Sequence, residues 1–552
     1  MKSSNFKVST PVSVDWTLAA VDGKITNTTV SAVDQLSITL QMSVSATKMM
    51  EVPIVRGSGM ISAKVTGLTP ILRTPLKITQ AKAGDTVVFP GPGKGNAAQL
   101  DITLSDGRVW TVFLSAATDL IVGSNFVKFA APFTGNIRAA FAGTEAAIVD
   151  IAAYKDVVPI GGVVDYTNTA EQSTITFAWT RVGLADWAPV TTGNVMMYAL
   201  PHHFDILTNP TKNVNLNITT IKGNMTVVGD ATWTMVEALN QIGWFMPREY
   251  NLTSTFGSML YAELEKQWPI DAAYRASSSD SYNFGVELAK MARIGSIGVT
   301  VNYTEAAVLK IRTFIKNTLA DHFKEQTDNP PTFDELWGGI VSKDGKSATA
   351  DWGNGIYTDH LKHYGYLLYA AAWAIKNDTS GDMWATNYTE NLLYYARDIA
   401  NPNPSDPYFP VTRYKDWFCG HSWSTGLMEY GDNRSQMSSS EAVHAYYAIA
   451  LLGNALNNTD IETYGRMLMM TEIRSAKKYF QIPEDSVVYP EPFKSNRMAG
   501  VVWDSQVYYT TWMGGDASEV HGVQLMPFTP ATTVLIEAAF ATQEYAVIGN
   551  AA

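Results

Sequence analysis

Three segments of the sequence concentrate carboxylates, histidines and aromatic side chains. In the first, residues 351–366, Asp359 and His363 are four apart and would share one face of a helix. A carboxylate beside histidine and tyrosine can act as a general acid. The same spacing also suits two ligands of a metal ion, with further ligands needed from elsewhere. A third interpretation is that Asp359 only caps the start of a helix.

The second segment is a loop bounded by glycine, residues 416–426, which holds two tryptophans, Asp416 and His421. Aromatic rings such as that of Trp423 can stack on the apolar face of a sugar while polar neighbours bind its hydroxyl groups. An ordinary buried aromatic corner is the alternative interpretation.

The third segment, residues 438–447, begins with serines that can cap a helix whose first turn holds Glu441, with His444 one turn later. The helix N-terminus favours an ionised carboxylate, as a general base requires, although Glu441 can also be no more than a capping acid. Glycoside hydrolysis needs one protonated and one ionised carboxylate. Asp359 and Glu441 are the candidate pair, although spacing along the chain does not show that they meet.

The elements that position these groups differ along the chain. The first two hundred residues alternate apolar and polar residues at period two, as in residues 37–45 and 98–105, between glycine- and proline-rich turns such as residues 90–95. This pattern predicts an antiparallel β-sandwich. Residues 210–290 mix both patterns and suggest a small α/β connector.

After about residue 295 the pattern becomes helical, which predicts an all-α toroid of paired helices, with a helical-repeat solenoid as the alternative. The predicted helices cover residues 304–316 (with Thr304 as N-cap), 364–376, 386–399, 440–456, 462–479 and 530–543. The predicted domains are therefore residues 1–208, 209–294 and 295–552.

Composition excludes several classes of protein. Of 552 residues, 46% are hydrophobic and only 17% charged, which excludes a disordered or fibrous chain. The net charge of −12 makes nucleic acid and anionic lipid poor partners. The single cysteine, Cys419, excludes an intramolecular disulfide framework and cysteine-based metal clusters. No apolar stretch approaches the roughly 20 residues of a membrane span, and the N-terminus lacks the apolar region of a signal peptide, so we expect a soluble chain.

Several motifs, in order along the chain, resemble glycoside hydrolase family 81, the endo-β-1,3-glucanases or laminarinases. The resemblance implies an N-terminal antiparallel β-sandwich, a small α/β domain and a C-terminal (α/α)6 barrel. It also implies inverting, metal-independent cleavage of internal β-1,3 bonds without a cofactor. The matching segments are residues 200–203 (Leu-Pro-His-His), 337–341, 351–366, 401–409, 416–423, 508–512 and 519–527.

The resemblance also implies residue roles, with Asp359 as general acid and Glu441 as general base. Inversion requires the two carboxyl groups to stand roughly 6.5–9.5 Å apart, so that a water fits between the base and the sugar. The residues expected to bind substrate are His363, Tyr357, Tyr366, Asp416, His421, Trp423, Gln436, His444, Trp512 and His521.

One position departs from the family pattern. The family typically has Gln-Glu-Ser-x-Ser-Glu, whereas residues 436–441 place Met437 at the first glutamate. We expect retained activity, because the acid, the base and the aromatic loops persist. The alternatives are a non-catalytic glucan-binding protein, a hydrolase of another polysaccharide, and a structural component. We further expect a monomer that binds β-1,3-glucan and is extracellular or secreted, with a virion or the cytoplasm as the other locations.

Overall fold

The computed structural model describes residues 2–10, 13–246, 255–266, 276–301, 304–347, 349–376 and 378–549. The chain forms two compact units. One comprises Met1–Thr10, Asn168–Ser173 and Glu237–Ala552, and the other comprises Pro11–Thr167 and Thr174–Val236. The division of the chain at residues 208 and 294 stays a prediction.

The β unit is built on one curled antiparallel sheet, which within the described residues contains twelve strands, β3–β14. Two three-stranded sheets follow, β15-β16-β20 and β17-β19-β18. In chain order the described strands as far as β20 are β1 (Lys2–Ser3), β2 (Lys7–Ser9), β3 (Thr17–Ala20), β4 (Asn27–Val33), β5 (Ser37–Ser45), β6 (Lys48–Val55), β7 (Met60–Leu68), β8 (Pro70–Arg73), β9 (Ile78–Ala83), β10 (Thr86–Phe89), β11 (Lys94–Leu104), β12 (Val109–Val122), β13 (Phe126–Phe129), β14 (Phe133–Phe141), β15 (Val157–Asn168), β16 (Gln172–Gly183), β17 (Met197–Ala199), β18 (Lys212–Thr220), β19 (Gly223–Val228) and β20 (Thr232–Ala238). Of these strands, β1 and β2 belong to the other unit.

Strand β11 illustrates why these segments form the sheet. Leu100, Ile102 and Leu104 are buried, whereas Asp101 and Thr103 between them are partly exposed, so one face of the strand packs into the core. Burial of each such aliphatic side chain contributes about 1.5–3 kcal/mol. The core of the large sheet is made of residues from these alternating faces.

The second unit is mainly helical, and its helices α3, α5, α7 and α8 pack against one another in that order. Within the described residues the α-helices are α1 (Ala147–Ala152), α2 (Thr255–Lys266), α3 (Ser281–Thr300), α4 (Glu305–Phe323), α5 (His360–Lys376), α6 (Trp384–Ala400), α7 (Ser439–Ala455), α8 (Thr459–Tyr479), α9 (Ala517–Val523), α10 (Thr532–Leu535) and α11 (Ala538–Ile548). Short strands accompany the helices: β21 (Pro331–Asp334), β22 (Gly339–Ser342), β23 (Lys415–Asp416), β24 (His421–Ser422), β25 (Ser435–Gln436), β26 (Val501–Trp503) and β27 (Gln506–Tyr508).

Helices α5 and α7 lie at the centre of this unit, because nearly every residue along each of them is buried. A helix that is apolar on all sides belongs inside a protein rather than on its surface. The predicted class, an antiparallel β domain followed by a helical domain, is confirmed.

Several helix boundaries differ from the predictions, since α4 ends at Phe323 rather than at residue 316 and α5 begins at His360 rather than at residue 364. Helix α8 begins at Thr459, three residues early, because the Asn458 side chain accepts a hydrogen bond from the Ile461 N–H and caps it. The single helix predicted over residues 530–543 is wrong. Ile536 and Glu537 adopt extended backbone conformations, which end α10 and start α11 as a separate helix. Across the part of the chain that the structure describes, no helix is both long and apolar enough to cross a membrane.

Candidate active site

The loop that leads into α5 carries unusual backbone strain. Four of its non-glycine residues have positive φ: Asp351 (48°), Trp352 (55°), Tyr357 (64°) and Asp359 (61°). Each such residue costs roughly 1–2 kcal/mol, so the surrounding contacts must hold the loop in place. The carboxylate of Asp351 makes two of these stabilising contacts, because it accepts hydrogen bonds from the N–H (2.8 Å) and the hydroxyl (2.9 Å) of Ser281.

Asp359 is the last residue before α5. Its N–H donates to the Ser424 carbonyl (2.9 Å), and its own carbonyl accepts from the N–H groups of Lys362 and His363 in the first helical turn. The carboxylate is 14% exposed and forms an ion pair with the ammonium group of Lys362, with Nζ 3.0 Å from Oδ1. The loop and the helix start therefore fix the position of this carboxylate.

Glu441 lies in the first turn of α7, where the Ser438 hydroxyl accepts a hydrogen bond from its N–H and caps the helix as predicted. The residue is 6% exposed. Its Oε1 accepts hydrogen bonds from the hydroxyl groups of Tyr282 (3.0 Å) and Tyr366 (2.9 Å). Both of these hydrogen bonds therefore end on the same carboxylate oxygen.

Both carboxylates line one cavity of about 280 Å³. Four of the predicted site residues therefore meet here: Asp359, His363, Glu441 and Trp512. The rest of the described lining is Tyr282, Asn283, Trp352, Lys362 and Met437. The candidate pair of carboxylates, Asp359 and Glu441, therefore lies on the wall of one cavity, which spacing along the chain did not show.

The surroundings of His363 determine its charge. Its Nδ1 lies 2.9 Å from the Ser281 hydroxyl and 3.1 Å from the Asn354 Nδ2. Burial, together with the charges of His360 and Lys362, lowers the pKa of His363 well below its usual value, so the ring is neutral.

Lys362 is the cationic side chain of the described cavity wall, and the sequence analysis did not single it out. Burial opposes its charge, but the carboxylates of Asp359 and Glu441 outweigh that effect and raise its pKa. Its position three residues after Asp359 is the spacing of an ion pair on one helix turn, and this signal is present in the sequence. Tyr282 and Asn283 come from the start of α3, and no motif indicates them.

The second predicted segment supports the cavity from behind. The Trp423 indole N–H donates to Asp416 (3.1 Å). Gln436 Nε2 donates to the Ser422 carbonyl, and its Oε1 accepts from the hydroxyl of Ser424, whose carbonyl holds the Asp359 N–H. The nitrogen Nδ1 of His421 lies 2.9 Å from the Ser422 carbonyl. Direct contact of Asp416, His421, Trp423 and Gln436 with substrate stays a prediction.

The other predicted contacts are buried and do not belong to the described lining. The hydroxyl of Tyr357 donates to Asp334 (2.7 Å), and His521 Nδ1 lies 2.8 Å from Glu544 Oε1. His444 packs among tyrosine rings, and neither of its ring nitrogens has a hydrogen-bond partner within the described residues. Burial lowers its pKa to about 3. For these three residues, and for Tyr366 beyond its bond to Glu441, substrate contact stays a prediction.

A buried histidine that the sequence analysis missed supports the strained loop. Both ring nitrogens of His360 face acceptors, with Nδ1 2.7 Å from Asp398 Oδ2 and Nε2 2.7 Å from the Asn354 carbonyl. The ring therefore bridges a buried carboxylate and a backbone carbonyl of the strained loop. Its place beside Asp359 in the same short motif is the only signal that the sequence offers.

Comparisons with known proteins agree on one family. The profiles described as "Glycosyl hydrolase family 81 N-terminal domain" and "Glycosyl hydrolase family 81 C-terminal domain" match residues 2–248 and 252–551. A glucan endo-1,3-beta-D-glucosidase of Arthroderma benhamiae is 27% identical over 89% of this chain, and a primary septum glucan endo-1,3-beta-D-glucosidase of Schizosaccharomyces pombe is 27% identical over 94%. The chain spans only 55% and 51% of those two proteins.

A solved structure supports the same fold. The glycoside hydrolase family 81 protein from Clostridium thermocellum superposes with a TM-score of 0.84 at 22% identity, and the match covers all of this chain and 74% of that one. At this identity the likeness concerns the fold.

Proposed function

Since the two profile matches show that the chain belongs to glycosyl hydrolase family 81, we propose that it hydrolyses internal β-1,3 bonds of β-1,3-glucan with inversion. The observation that carries this proposal is the pair of carboxylates, Asp359 and Glu441, on the wall of one cavity. Asp359 directly precedes α5 and Glu441 lies in the first turn of α7. Because both helices are central in this unit, both carboxylates are held rigidly.

In the proposed reaction Asp359 is the general acid and Glu441 the general base. A protonated Asp359 gives its proton to the oxygen of the departing glucan chain. Glu441 takes a proton from a water molecule, whose oxygen bonds to the anomeric carbon from the opposite face of the sugar ring. The bond to the leaving oxygen breaks as the bond to water forms, which inverts the configuration.

The aromatic side chains at the cavity suit a glucan chain. Trp352 and Trp512 both line the cavity and are 64% and 60% exposed. Broad apolar rings at the mouth of a polar cavity can stack on the faces of successive glucose units. We propose that these two tryptophans hold the polymer on either side of the bond that breaks.

A second candidate is a glucan-binding protein without turnover, and Met437 is the observation that favours it. The methionine lies on the cavity wall four residues before Glu441, where the family typically has a glutamate. If that glutamate were indispensable for chemistry, this chain would bind glucan and release nothing.

Hydrolysis of laminarin, followed by proton NMR of the product anomers, separates the two candidates. The wild type is expected to release oligosaccharides that appear first as the α anomer, and Asp359→Asn and Glu441→Gln are expected to lose at least about a hundredfold in rate. Glu429→Gln, at an exposed glutamate, is the matched control and should keep full activity. Binding of laminarin without products would favour the binder, and products that appear first as the β anomer would overturn inversion.

The place of action and the oligomeric state are part of the same proposal. A polymeric glucan is too large to enter a cell, so we place the protein outside the cytoplasm, as expected for a secreted enzyme. We also propose that it acts as a monomer, because the acid and the base both come from one chain.

A further inference from the structure

Lys362 occupies a position that is unfavourable for a lysine. It lies in the first turn of α5, where the positive end of the helix dipole repels a cation, and its side chain is only 6% exposed. Removal of an ammonium group from water is costly unless the charge is paired. Folding stability alone therefore gives no reason for a lysine at this point.

The compensating charges are the two proposed catalytic carboxylates. Nζ of Lys362 is 3.0 Å from Asp359 Oδ1, and the ammonium group also feels the charge of Glu441 across the cavity. The neighbouring His363 is neutral and supplies no charge. Among the described residues of the wall, one ammonium group therefore faces two carboxylates.

We propose that Lys362 is a positioning residue for the hydrolytic step, which stabilises the negative charge that Asp359 acquires when it gives up its proton. This inference rests on the proposed function. In that step a proton leaves Asp359 for the departing oxygen, while a proton of water moves to Glu441. Negative charge is thus lost at Glu441 and gained at Asp359, which is the carboxylate in direct contact with the ammonium group.

The same contact has a cost in the free enzyme. A cation beside Asp359 favours the ionised form of that carboxylate, whereas the reaction needs the protonated form. The titratable groups that face this pair are Glu441 of α7, His363 of α5, Tyr282 of α3 and Tyr414.

The test compares pH profiles of laminarin hydrolysis for the wild type and Lys362→Met. We expect the alkaline limb of kcat/KM to move up by about one pH unit or more, because the ionised form of Asp359 loses its partner. We also expect the maximal kcat to fall at least about tenfold, since the developing charge is no longer stabilised. Lys362→Arg keeps the charge and should keep the limb near its original position.

Lys376→Met is the matched control, since this lysine lies exposed at the other end of the same helix. Its profile should coincide with that of the wild type. If Lys362→Met does not fold, Lys362→Gln carries the same comparison. An unchanged alkaline limb in a folded variant would overturn the role of Lys362, whereas a wild type without hydrolysis would overturn the proposed function itself.

Discussion

The two tyrosines that donate to Glu441 offer a direct test of its role as the base. Tyr282 and Tyr366 both bond to Oε1, and these bonds favour the ionised carboxylate over the protonated acid. Tyr366→Phe or Tyr282→Phe removes one donor and leaves the ring in place. The base will then take up a proton at higher pH, and the acidic limb of the kcat/KM profile will move up.

The expected size follows from the chemistry of the bond. A hydrogen bond to a charged group contributes about 1.5–3 kcal/mol, and one pH unit corresponds to about 1.36 kcal/mol. Complete loss of one bond therefore moves the acidic limb by about one to two pH units. Tyr366 is buried, whereas Tyr282 borders the cavity, where a water can replace its hydroxyl. The shift should therefore be larger for Tyr366→Phe.

The assay is initial-rate hydrolysis of laminarin between pH 4 and 9, with circular dichroism to confirm folding. Tyr489→Phe is the matched control, because its buried hydroxyl donates to the backbone carbonyl of Tyr479 (2.7 Å), and it should leave the limb unmoved. If neither Tyr282→Phe nor Tyr366→Phe moves the acidic limb while both variants fold, then the acidic limb does not reflect Glu441, and the assignment of Glu441 as the base fails.

Three further outcomes are expected. Glu472→Gln leaves the buried ammonium group of Lys415 without its charged partner, so the free energy of unfolding measured with urea should fall by about 3–5 kcal/mol. Glu537→Gln breaks an exposed ion pair with Lys477 and should lower the free energy of unfolding by less than about 1 kcal/mol. Trp512→Ala removes an exposed ring at the cavity and should raise KM for laminarin about tenfold, while kcat changes less than twofold in steady-state kinetics. A fall of kcat as large as the rise of KM would contradict a binding role. In the folded protein His444 stays neutral because burial lowers its pKa to about 3, whereas in the unfolded chain it takes up a proton below about pH 6.5. The wild type therefore loses stability as the pH falls, and the free energy of unfolding of His444→Phe, measured with urea, should rise relative to that of the wild type by about 2 kcal/mol from pH 7 to pH 5. A difference that does not depend on pH would contradict this.

The β domain could be predicted because its signal is local. In residues 98–105 the apolar positions alternate with polar ones, and the structure buries Leu100, Ile102 and Leu104 on one face of β11. The helix predicted over residues 530–543 failed for the opposite reason. Its composition suits a helix throughout, and the extended conformations of Ile536 and Glu537 have no marker such as proline or glycine.

At the site, the sequence could indicate the carboxylates but not everything around them. Asp359 and Glu441 each lie at a helix start within a recognisable motif, so their proposed roles could be inferred from the motif and from the family resemblance. Tyr282 and Asn283 reach the cavity only because α3 packs against α5, and tertiary packing of this kind leaves no short-range pattern. His444 shows the reverse case, because its place in a helix beside Glu441 does not reveal that tyrosine rings surround it.

The methionine at position 437 changes the charge of the cavity and leaves the reacting pair intact. Its carbonyl accepts a hydrogen bond from Gln524 Nε2 (3.0 Å), so the backbone before α7 is held without help from the side chain. A glutamate in its place would add a second negative charge one turn from Glu441, and like charges disfavour ionisation of one another. With methionine there, Lys362 faces two carboxylates instead of three, and the bonds of the tyrosine hydroxyls hold Glu441 in any case. Retained hydrolysis is therefore the outcome that this arrangement favours over binding alone.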